Sequence, residues 1–310
     1  MSVLICGSIA YDTIMVFDGR FGDHILPDRV HSLSVAFVVP ALRRNFGGCG
    51  GNIAYNARLL GLPVRLLGAV GDDFGEYRAW LHGHGVNLDH VRAFPGTYTA
   101  QAYITTDVDA NQITAFHPGA MAHAHEIAIP ADGSVKLAIV APDGRAAMVG
   151  HARALKAAGV PFLFDPGQNL PMFDGDDLKG FLKQASWLVV NDYEAALVEE
   201  RTGLTPEAIA SELKAYIVTR GAQGSTIYAD GTRHDIPAVA AERVADPTGC
   251  GDAYRAGLIF GLTHGLPWPK TGRIASLLGS IKIAHHGTQS HSPDLAEIRR
   301  RYEAAYGHAL

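Results

Sequence analysis

The sequence predicts an α/β fold built on a mainly parallel sheet, and two observations support that prediction. Short apolar runs recur without strict alternation, which is typical of parallel strands buried on both faces; they lie at residues 3–9, 137–140, 161–164 and 187–190. Helical segments alternate with the later runs, at 144–158 and 177–184. With 310 residues, 47% of them hydrophobic, the chain has room for one large α/β domain with an appended element, or for two ordinary domains.

Composition and charge argue against several classes of partner. The net charge of −5 does not favour a nucleic-acid polymer or an anionic membrane. No apolar run reaches the roughly 18 residues that span a bilayer, and no basic leader precedes the first strand. The three cysteines, Cys6, Cys49 and Cys250, are odd in number and lack C-x-x-C spacing. We therefore interpret them as free thiols and expect a cytoplasmic protein.

The sequence also lacks the motifs of several common sites. It contains no G-x-x-x-x-G-K-[ST] phosphate loop, no G-x-G-x-x-G after the first strand and no G-x-S-x-G turn. Pairs of histidines at His123 and His125 and at His285 and His286 invite a metal interpretation, but no H-E-x-x-H pattern or acidic cluster accompanies them. These absences argue against a P-loop enzyme, a Rossmann dinucleotide site, a simple hydrolase and a structural zinc protein.

Near the N-terminus, Asp12 follows the first apolar strand. Ligands collect at the carboxyl ends of strands in open α/β sheets, so Asp12 is a candidate binding residue; the alternative is a turn or cap residue. Two further strand-like runs follow at 13–17 and 34–39, separated by a polar excursion over 18–29. Alternation within 34–39 predicts a strand in a sheet with one covered face.

A glycine-rich motif comes next, Phe46-Gly47-Gly48-Cys49-Gly50-Gly51-Asn52. Four glycines in five positions are unsuited to a helix interior or to a packed strand. We expect a loop that a ligand approaches closely, followed by a helix over 52–60 that ends at Gly61.

The middle of the chain predicts one more strand–turn–helix unit and a hairpin. The unit has a strand at 65–70 and a helix that ends near residue 84. The hairpin has strands at 98–106 and 112–116 around the polar turn 107–111.

Two further motifs lie at strand ends in the second half. Asn191-Asp192-Tyr193-Glu194 opens a helix over 193–201, and its alternative role is an N-cap with acids at the helix dipole. Thr219-Arg220-Gly221-Ala222-Gln223-Gly224 joins strands at 216–219 and 225–228. Helices over 269–285 and 294–304 complete the chain.

A second glycine motif organises the predicted chemistry: Asp246-Pro247-Thr248-Gly249-Cys250-Gly251-Asp252, before a largely apolar helix that reaches about residue 264. Unpaired N–H groups and the positive end of the helix dipole suit an anion there, and glycines permit close approach of a phosphate. A carboxylate beside that anion is a poor binding group, so Asp252 makes sense as a base. The alternative is a helix N-terminus with glycines for tight turning.

The four motifs, in this order, resemble the signatures of the PfkB/ribokinase family of carbohydrate and nucleoside kinases. The resemblance covers nearly the whole chain; one departure is Pro247, where many members carry threonine. It implies a ribokinase-like three-layer α/β/α domain with a mainly parallel central sheet, plus a small β-sheet lid. On this basis we assign residues 1–12, 40–92 and 122–310 to the large domain and residues 13–39 and 93–121 to the lid.

The resemblance also implies roles for individual residues, with ATP and Mg²⁺ as cofactors. Asp252 is the catalytic base, and Gly249, Cys250 and Gly251 form the anion hole. Sugar hydroxyls bind to Asp12, Gly48 and Asn52. ATP contacts Asn191, Thr219, Gly221, Gly224 and Gly251. Asn191 and Glu194 position Mg²⁺ through water, whereas Asp246 and Thr248 are candidate ligands for K⁺.

The sequences around Asp12, in the first glycine motif and at residues 113–120 most resemble those of the adenosine and nucleoside kinase branch of this family. We therefore expect an ATP- and Mg²⁺-dependent nucleoside 5′-kinase, with adenosine as the acceptor and Gln112 and Phe116 reading the base. The alternative for these residues and for Phe37 is packing within the lid. The runner-up function is a kinase of ribose or a ketohexose, and the third is a non-catalytic nucleoside sensor. The protein is expected to be a monomer or homodimer that binds no nucleic-acid polymer and no membrane.

Overall fold

Two β-sheets organise the computed structural model, which describes residues 2–25, 31–109 and 111–310. The predicted polar excursion 18–29 and hairpin turn 107–111 therefore lie partly outside the described residues. The strands are β1 Ser2–Cys6, β2 Ala10–Val16, β3 Ala41–Gly47, β4 Val64–Val70, β5 Asn87–Ala93, β6 Ala100–Thr106, β7 Gln112–His117, β8 Val135–Val140, β9 Phe162–Phe164, β10 Trp187–Asn191, β11 Ala215–Thr219, β12 Ser225–Ala229 and β13 Thr232–Ile236.

The α-helices of the described residues lie between strands as far as β13 and the last three follow it, mostly as the apolar periodicity predicts. They are α1 Phe21–His24, α2 Cys49–Leu59, α3 Gly75–Gly83, α4 Arg145–Ala157, α5 Gly175–Gln184, α6 Asp192–Thr202, α7 Pro206–Ser211, α8 Cys250–Thr263, α9 Trp268–Ile283 and α10 Leu295–Tyr306. Within the described ranges, no helix combines the length and the hydrophobicity needed to cross a bilayer.

The larger sheet has nine strands in the order β13-β12-β11-β10-β9-β8-β1-β4-β5. Pairing is parallel from β5 to β11, whereas β12 pairs antiparallel with β11 and the edge strand β13 pairs antiparallel with β12. Alternate residues of β1 enter two separate cores. Val3 and Ile5 pack with α2, α8 and α9, whereas Leu4 and Cys6 pack with α4 and α5. The predicted fold of a mainly parallel sheet between two helical layers is confirmed.

The smaller sheet has four strands in the order β3-β2-β6-β7. The hairpin is confirmed, since β6 and β7 pair antiparallel. The strand predicted at 34–39 is wrong: these residues form no strand, and β3 pairs with β2 instead. Strand β3 lies within 40–92, so this part of the segment that we assigned to the large domain joins the small sheet.

Packing rather than strand pairing explains the misleading alternation at 34–39. Val35, Phe37 and Val39 are half-buried and their neighbours are exposed, as in a strand with one covered face. The Phe37 ring lies 4.7 Å from that of Phe17 and 5.1 Å from that of Phe21, measured between ring centroids. The alternative reading of Phe37, as part of a local core, is therefore the correct one.

Helix α2 begins three residues before its predicted start. Its N-cap, Gly48, has a φ of 81°, and Gly50 and Gly51 belong to the first turn. A Cβ at Gly50 would lie 2.6 Å from the carbonyl oxygen of Gly7. The glycines that we expected to form a loop instead allow a helix end to lie directly against the end of β1.

Candidate active site

A polar cavity of about 500 Å³ lies between the small sheet and the carboxyl end of the large one. The small sheet contributes residues of β2, β6 and β7, and the starts of α2 and α8 form the opposite wall. Its charged lining residues are Asp12, Asp165, Glu194, Asp252 and Arg255.

A second, apolar cavity of about 620 Å³ lies on the other side of the α8 N-terminus. None of its described lining residues carries a charge, and most of them are small or aliphatic. The predicted nucleotide contacts Thr219, Gly221 and Gly224 all line it. Gly251 lines both cavities, so the second glycine motif forms the boundary at which the two cavities meet.

Asp252 lies in the first turn of α8 and faces the polar cavity. Its Oδ2 accepts a hydrogen bond of 2.8 Å from Nδ2 of Asn52. Burial raises the pKa of Asp252 to about 7, and the Asn52 amide and the Arg255 guanidinium only partly oppose that rise. The carboxyl group can therefore exchange a proton near neutral pH.

The backbone at the start of α8 provides donors for an anion. Gly249, the N-cap, has a φ of 80°. Cys250 donates its N–H to the carbonyl oxygen of Pro247 at 3.2 Å. Among the described residues, the N–H groups of Gly249 and Gly251 have no acceptor, so they are the free donors of the predicted anion hole.

The residues predicted to bind sugar hydroxyls come together beside Asp252. Asp12, Gly48 and Asn52 all line the polar cavity. A Cβ at Gly47 would overlap the Asp12 carboxylate, so a side chain there would displace that carboxylate. Burial, with the nearby Asp246 carboxylate, raises the pKa of Asp12 to about 6.

Of the two predicted base-reading residues, only Phe116 lines the polar cavity. Phe116 pairs with Ala102 in the β6–β7 hairpin, and its side chain is 53% exposed. Gln112 pairs with Thr106 at the far end of the same hairpin and is absent from the described lining. A strand rises about 3.4 Å per residue, so four residues carry Gln112 away from the cavity. The hairpin was predicted, but which end points inward depends on tertiary placement.

Asn191 and Glu194 form a capping box at the start of α6. Asn191 Oδ1 accepts from the Glu194 N–H, and Glu194 Oε2 accepts from the Asn191 N–H, each at 2.8 Å. Both side chains also line the polar cavity, and burial raises the pKa of Glu194. The capping alternative is thus present in the structure, and the same two residues face the predicted phosphate side of the cavity.

A buried ion pair that we did not predict lies beside this cap. Arg255 binds Asp165 through two hydrogen bonds of 2.9 Å, from Nε and from an Nη atom. The two residues are 6% and 2% exposed. Two signals could have identified them: Asp165 directly follows a short apolar strand, and Arg255 interrupts an apolar helix.

The predicted cation ligand Asp246 lies against a lysine. Lys282 is fully buried, and its Nζ donates to the carbonyl oxygens of Asp246 at 2.7 Å and His285 at 3.2 Å. The same Nζ lies 3.9 Å from the Asp246 carboxylate. The two carboxylate oxygens of Asp246 accept from the N–H groups of Thr248 and Gly287. Burial lowers the pKa of Lys282, and the Asp246 carboxylate opposes that shift.

The segment after β9 adds two amides that the sequence did not single out. Gln168 and Asn169 line the polar cavity. The Asn169 amide donates to the carbonyl oxygen of Asp143 at 2.6 Å, whereas the polar contacts of Gln168 with the described residues are long ones to the Cys49 sulfur. Gln168 is therefore the freer of the two to meet a ligand.

Comparisons with known proteins are consistent with this geometry. Residues 12–295 match the pfkB family of carbohydrate kinases. The nucleoside kinase of Methanocaldococcus jannaschii is 31% identical over 86% of this chain and 88% of its own. Its crystal structure, described as an archaeal member of the ribokinase family, has a TM-score of 0.89 with 28% identity, covering 98% of this chain and 99% of the other.

A bacterial relative is more similar. The nucleoside kinase of Burkholderia thailandensis in complex with inosine is 51% identical, has a TM-score of 0.90, and covers 99% of each chain. Its complex with ADP-inosine gives 53% identity and a TM-score of 0.87, covering 99% of this chain and 97% of the other.

Proposed function

The chain belongs to the pfkB family of carbohydrate kinases, and from this premise we propose that it is an ATP-dependent nucleoside kinase that phosphorylates the 5′-hydroxyl of adenosine or a related ribonucleoside. The observation that carries the proposal is the meeting of two unlike cavities at Gly251, with Asp252 on the polar side. The polar cavity takes the nucleoside, and the apolar cavity takes the adenine nucleotide. Similarity to nucleoside kinases bound to inosine and ADP-inosine supports the assignment.

The proposed reaction uses Asp252 as the base. Its carboxylate accepts the proton of the 5′-hydroxyl as the oxygen attacks the γ-phosphorus, and ADP leaves on the opposite side. The N–H groups of Gly249 and Gly251 bind the oxygens of the transferred phosphoryl group. A carboxyl group with a pKa of about 7 suits this role, because it is partly ionised at neutral pH and basic enough to take a proton.

Mg²⁺ fits the cap at the start of α6. Glu194 is a buried carboxylate with only Oε2 committed to the Asn191 N–H, and the side chain lines the polar cavity. A hard cation that keeps most of its water requires only one or two such oxygens. Asn191 and Glu194 would hold the ion through water, where it neutralises phosphate charge.

K⁺ does not fit at Asp246 and Thr248. Lys282 Nζ already donates to the Asp246 and His285 carbonyl oxygens, which are the kind of oxygens that a monovalent cation would require. Both Asp246 carboxylate oxygens are committed to backbone N–H groups. We infer that the lysine supplies the positive charge at this position and that turnover is independent of K⁺. Equal rates in potassium and choline buffers are expected, and stimulation by K⁺ would contradict the inference.

Base recognition is assigned to Phe116 and Gln168. Phe116 is a largely exposed aromatic ring at the cavity, which suits stacking on a base. Gln168 can both donate to and accept from a base edge. This pair replaces the predicted pair of Gln112 and Phe116.

The test is ATP consumption against adenosine, guanosine, inosine, cytidine, ribose and fructose, with Asp252→Asn as the control. Nucleoside turnover that disappears in the control supports the proposal. Turnover of ribose or fructose alone keeps the mechanism and replaces the acceptor, and ATP hydrolysis without transfer indicates a nucleoside sensor. Gln168→Leu should raise KM for nucleosides and leave any turnover of ribose unchanged.

Several finer points stay predictions of the sequence. They are the cytoplasmic location, the preference for adenosine, a role in purine salvage and the choice between a monomer and a homodimer. The residue limits of the large domain and the lid are likewise a proposal.

A further inference from the structure

A buried chain of side chains runs from Trp80 to Asp252 behind the polar cavity. The indole Nε1 of Trp80 donates to Oε1 of Gln289 at 3.0 Å. Nε2 of Gln289 donates to Oδ1 of Asn52 at 2.9 Å, and Nδ2 of Asn52 donates to Oδ2 of Asp252 at 2.8 Å. Gln289 is 5% exposed and Asn52 is 4% exposed, so neither amide can exchange these partners freely for water.

Every bond in this chain has a fixed direction. An indole nitrogen can only donate, so the Gln289 atom that faces Trp80 must be the oxygen. Tyr77 imposes the same orientation from the other end of the amide. Its hydroxyl donates to the Gly47 carbonyl oxygen at 2.9 Å, so it must accept the 2.5 Å bond from Nε2 of Gln289.

The fixed orientation of the Gln289 amide in turn fixes the orientation of the Asn52 amide. Because Gln289 presents an N–H, Asn52 must turn its oxygen toward Gln289 and its NH₂ toward Asp252. Turning the Asn52 amide by half a rotation would set its NH₂ against the Gln289 NH₂ at one end and its oxygen against the Asp252 carboxylate oxygen at the other. A reversed amide would also remove a donor from the Asp252 carboxylate, which strengthens its hold on a proton.

We propose that Gln289 is a positioning residue that, held by Trp80 and Tyr77, fixes the orientation of the Asn52 amide and so keeps a donor on the catalytic carboxylate. This inference rests on the proposed function, in which Asp252 is the base. In this proposal Asn52 has two roles: it binds a substrate hydroxyl and it donates a hydrogen bond to Asp252.

Other charged or titratable groups also act on Asp252 and must be held constant in a test. They are Arg255 on the same helix, Asp165 after β9, the Cys49 thiol on α2, the Cys250 thiol and Lys282. None of them is hydrogen-bonded to Trp80, Tyr77 or Gln289 among the described residues, so substitutions in the chain leave these groups in place.

The first test is Gln289→Met, which keeps the length of the side chain and removes the amide. The acid limb of the kcat–pH profile should move up by about one pH unit, because a hydrogen bond to a charged group is worth about that much. The rate below the limb should fall about tenfold and converge with wild type at alkaline pH, with KM for ATP unchanged. An equal loss at every pH would overturn the proposal.

The matched control is Tyr55→Phe. Tyr55 is also buried on α2 and donates to the His291 carbonyl oxygen at 2.6 Å, outside the chain. Its loss should lower the melting temperature and leave the pH profile in place. A shift of the acid limb in this variant would show that any packing defect near α2 moves it, which contradicts a specific role for Gln289.

A second set of variants leaves Gln289 intact. Trp80→Phe and Tyr77→Phe each retain one of the two constraints, so neither single variant should move the acid limb, whereas the double variant should. If the single variants shift it as far as the double, the two-ended constraint is wrong. Titration of the Asp252 carboxyl carbon by NMR follows the same shift without turnover, so it tests the chain even if the protein proves not to be a kinase.

Discussion

The polar and the apolar cavity share a wall at Gly251 but are built by different means. The polar cavity, at about 500 Å³, is lined by four carboxylates and one guanidinium, most of them with identified partners. The apolar cavity, at about 620 Å³, is lined mostly by small and aliphatic residues. The polar cavity is therefore suited to selecting a ligand through hydrogen bonds and charge, and the apolar cavity through shape.

Because of this difference, we expect the catalytic groups to lie in the polar cavity and the apolar cavity to contribute only to binding of the phosphoryl donor. Among the described residues, the charged side chains that line the two cavities all lie on the polar side of the second glycine motif. Substitutions in the polar cavity should change the rate, the acceptor or the pH profile. Substitutions in the apolar cavity should change only the binding of the phosphoryl donor.

The largest expected effect is that of Asp252→Asn. An amide cannot take the proton of the attacking hydroxyl, so kcat should fall about 10²–10⁴-fold. Both KM values should stay within a few-fold of wild type, since the amide keeps the size of the side chain. Steady-state kinetics measure this, and a loss confined to KM would place Asp252 among the binding groups instead.

The second effect concerns stability, because the polar cavity has a buried ion pair in its wall and the described lining of the apolar cavity has none. Asp165→Leu leaves the Arg255 guanidinium buried without its partner and should cost about 3–5 kcal/mol of unfolding free energy. The control is the double variant Asp165→Leu/Arg255→Met, which removes both charges and should recover much of the loss. Urea denaturation gives both values; equal losses in the single and double variants would mean that packing, not charge, decides.

The third effect separates the two ligands. Asp12→Ala removes a carboxylate acceptor for the nucleoside hydroxyls and should raise KM for the acceptor about 10–100-fold, with KM for ATP unchanged. Asp89→Ala, an exposed aspartate on β5, is the matched control and should leave both constants unchanged. A parallel rise in KM for ATP would show that the cavities are not independent.

The fourth prediction is a pH dependence that belongs to the polar cavity alone. Because burial raises the pKa of Asp252 to about 7, the carboxyl is mostly protonated below that pH and cannot act as a base. kcat should rise through a midpoint near pH 7 and be about tenfold lower at pH 6 than on the plateau. Acceptor binding should also weaken below about pH 6 as Asp12 protonates. A flat kcat profile between pH 5.5 and about 8.5 would rule out Asp252 as the titrating base.

The smallest effect probes the apolar cavity. A Cβ at Gly279 would have only the Cys250 carbonyl oxygen within 4 Å, at 3.7 Å, so a side chain there fits the fold and extends along the cavity wall. Gly279→Leu should raise KM for ATP about tenfold by occupying space that the nucleotide needs, and KM for the acceptor should stay constant. Gly279→Ala, the control, should behave as wild type.

The sequence predicted the elements and the motif residues well, because both depend on local signals. Apolar runs identify buried strands, and the two glycine motifs identify the starts of α2 and α8. The contacts between distant residues were not predictable in this way. Asn52 was expected to bind substrate, and nothing local indicates that it bonds to Asp252, 200 positions later.

Lys282 and Gln289 show the same limit. Each lies near the end of the chain in a segment that reads as ordinary helix or turn, and each acquires its role only when that segment packs against a glycine motif. The misplaced strand at 34–39 has a related cause, since alternating burial arises from aromatic packing as well as from a sheet. Pattern alone does not distinguish the two.

The short links between the two sheets have a mechanical consequence. Only residues 7–9 connect β1 to β2, and Gly48 alone separates β3 from α2. These links are suited to act as a hinge, and the strands of the small sheet extend away from it. For any rotation of that sheet about the hinge, the displacement of a residue grows with its distance from the hinge. Asp12 would therefore move little, whereas the outer ends of the strands, near Val16 and Gln112, would move much farther. In the proposed function, Asp12 would therefore keep its contact with the nucleoside hydroxyls while the mouth of the cavity opens.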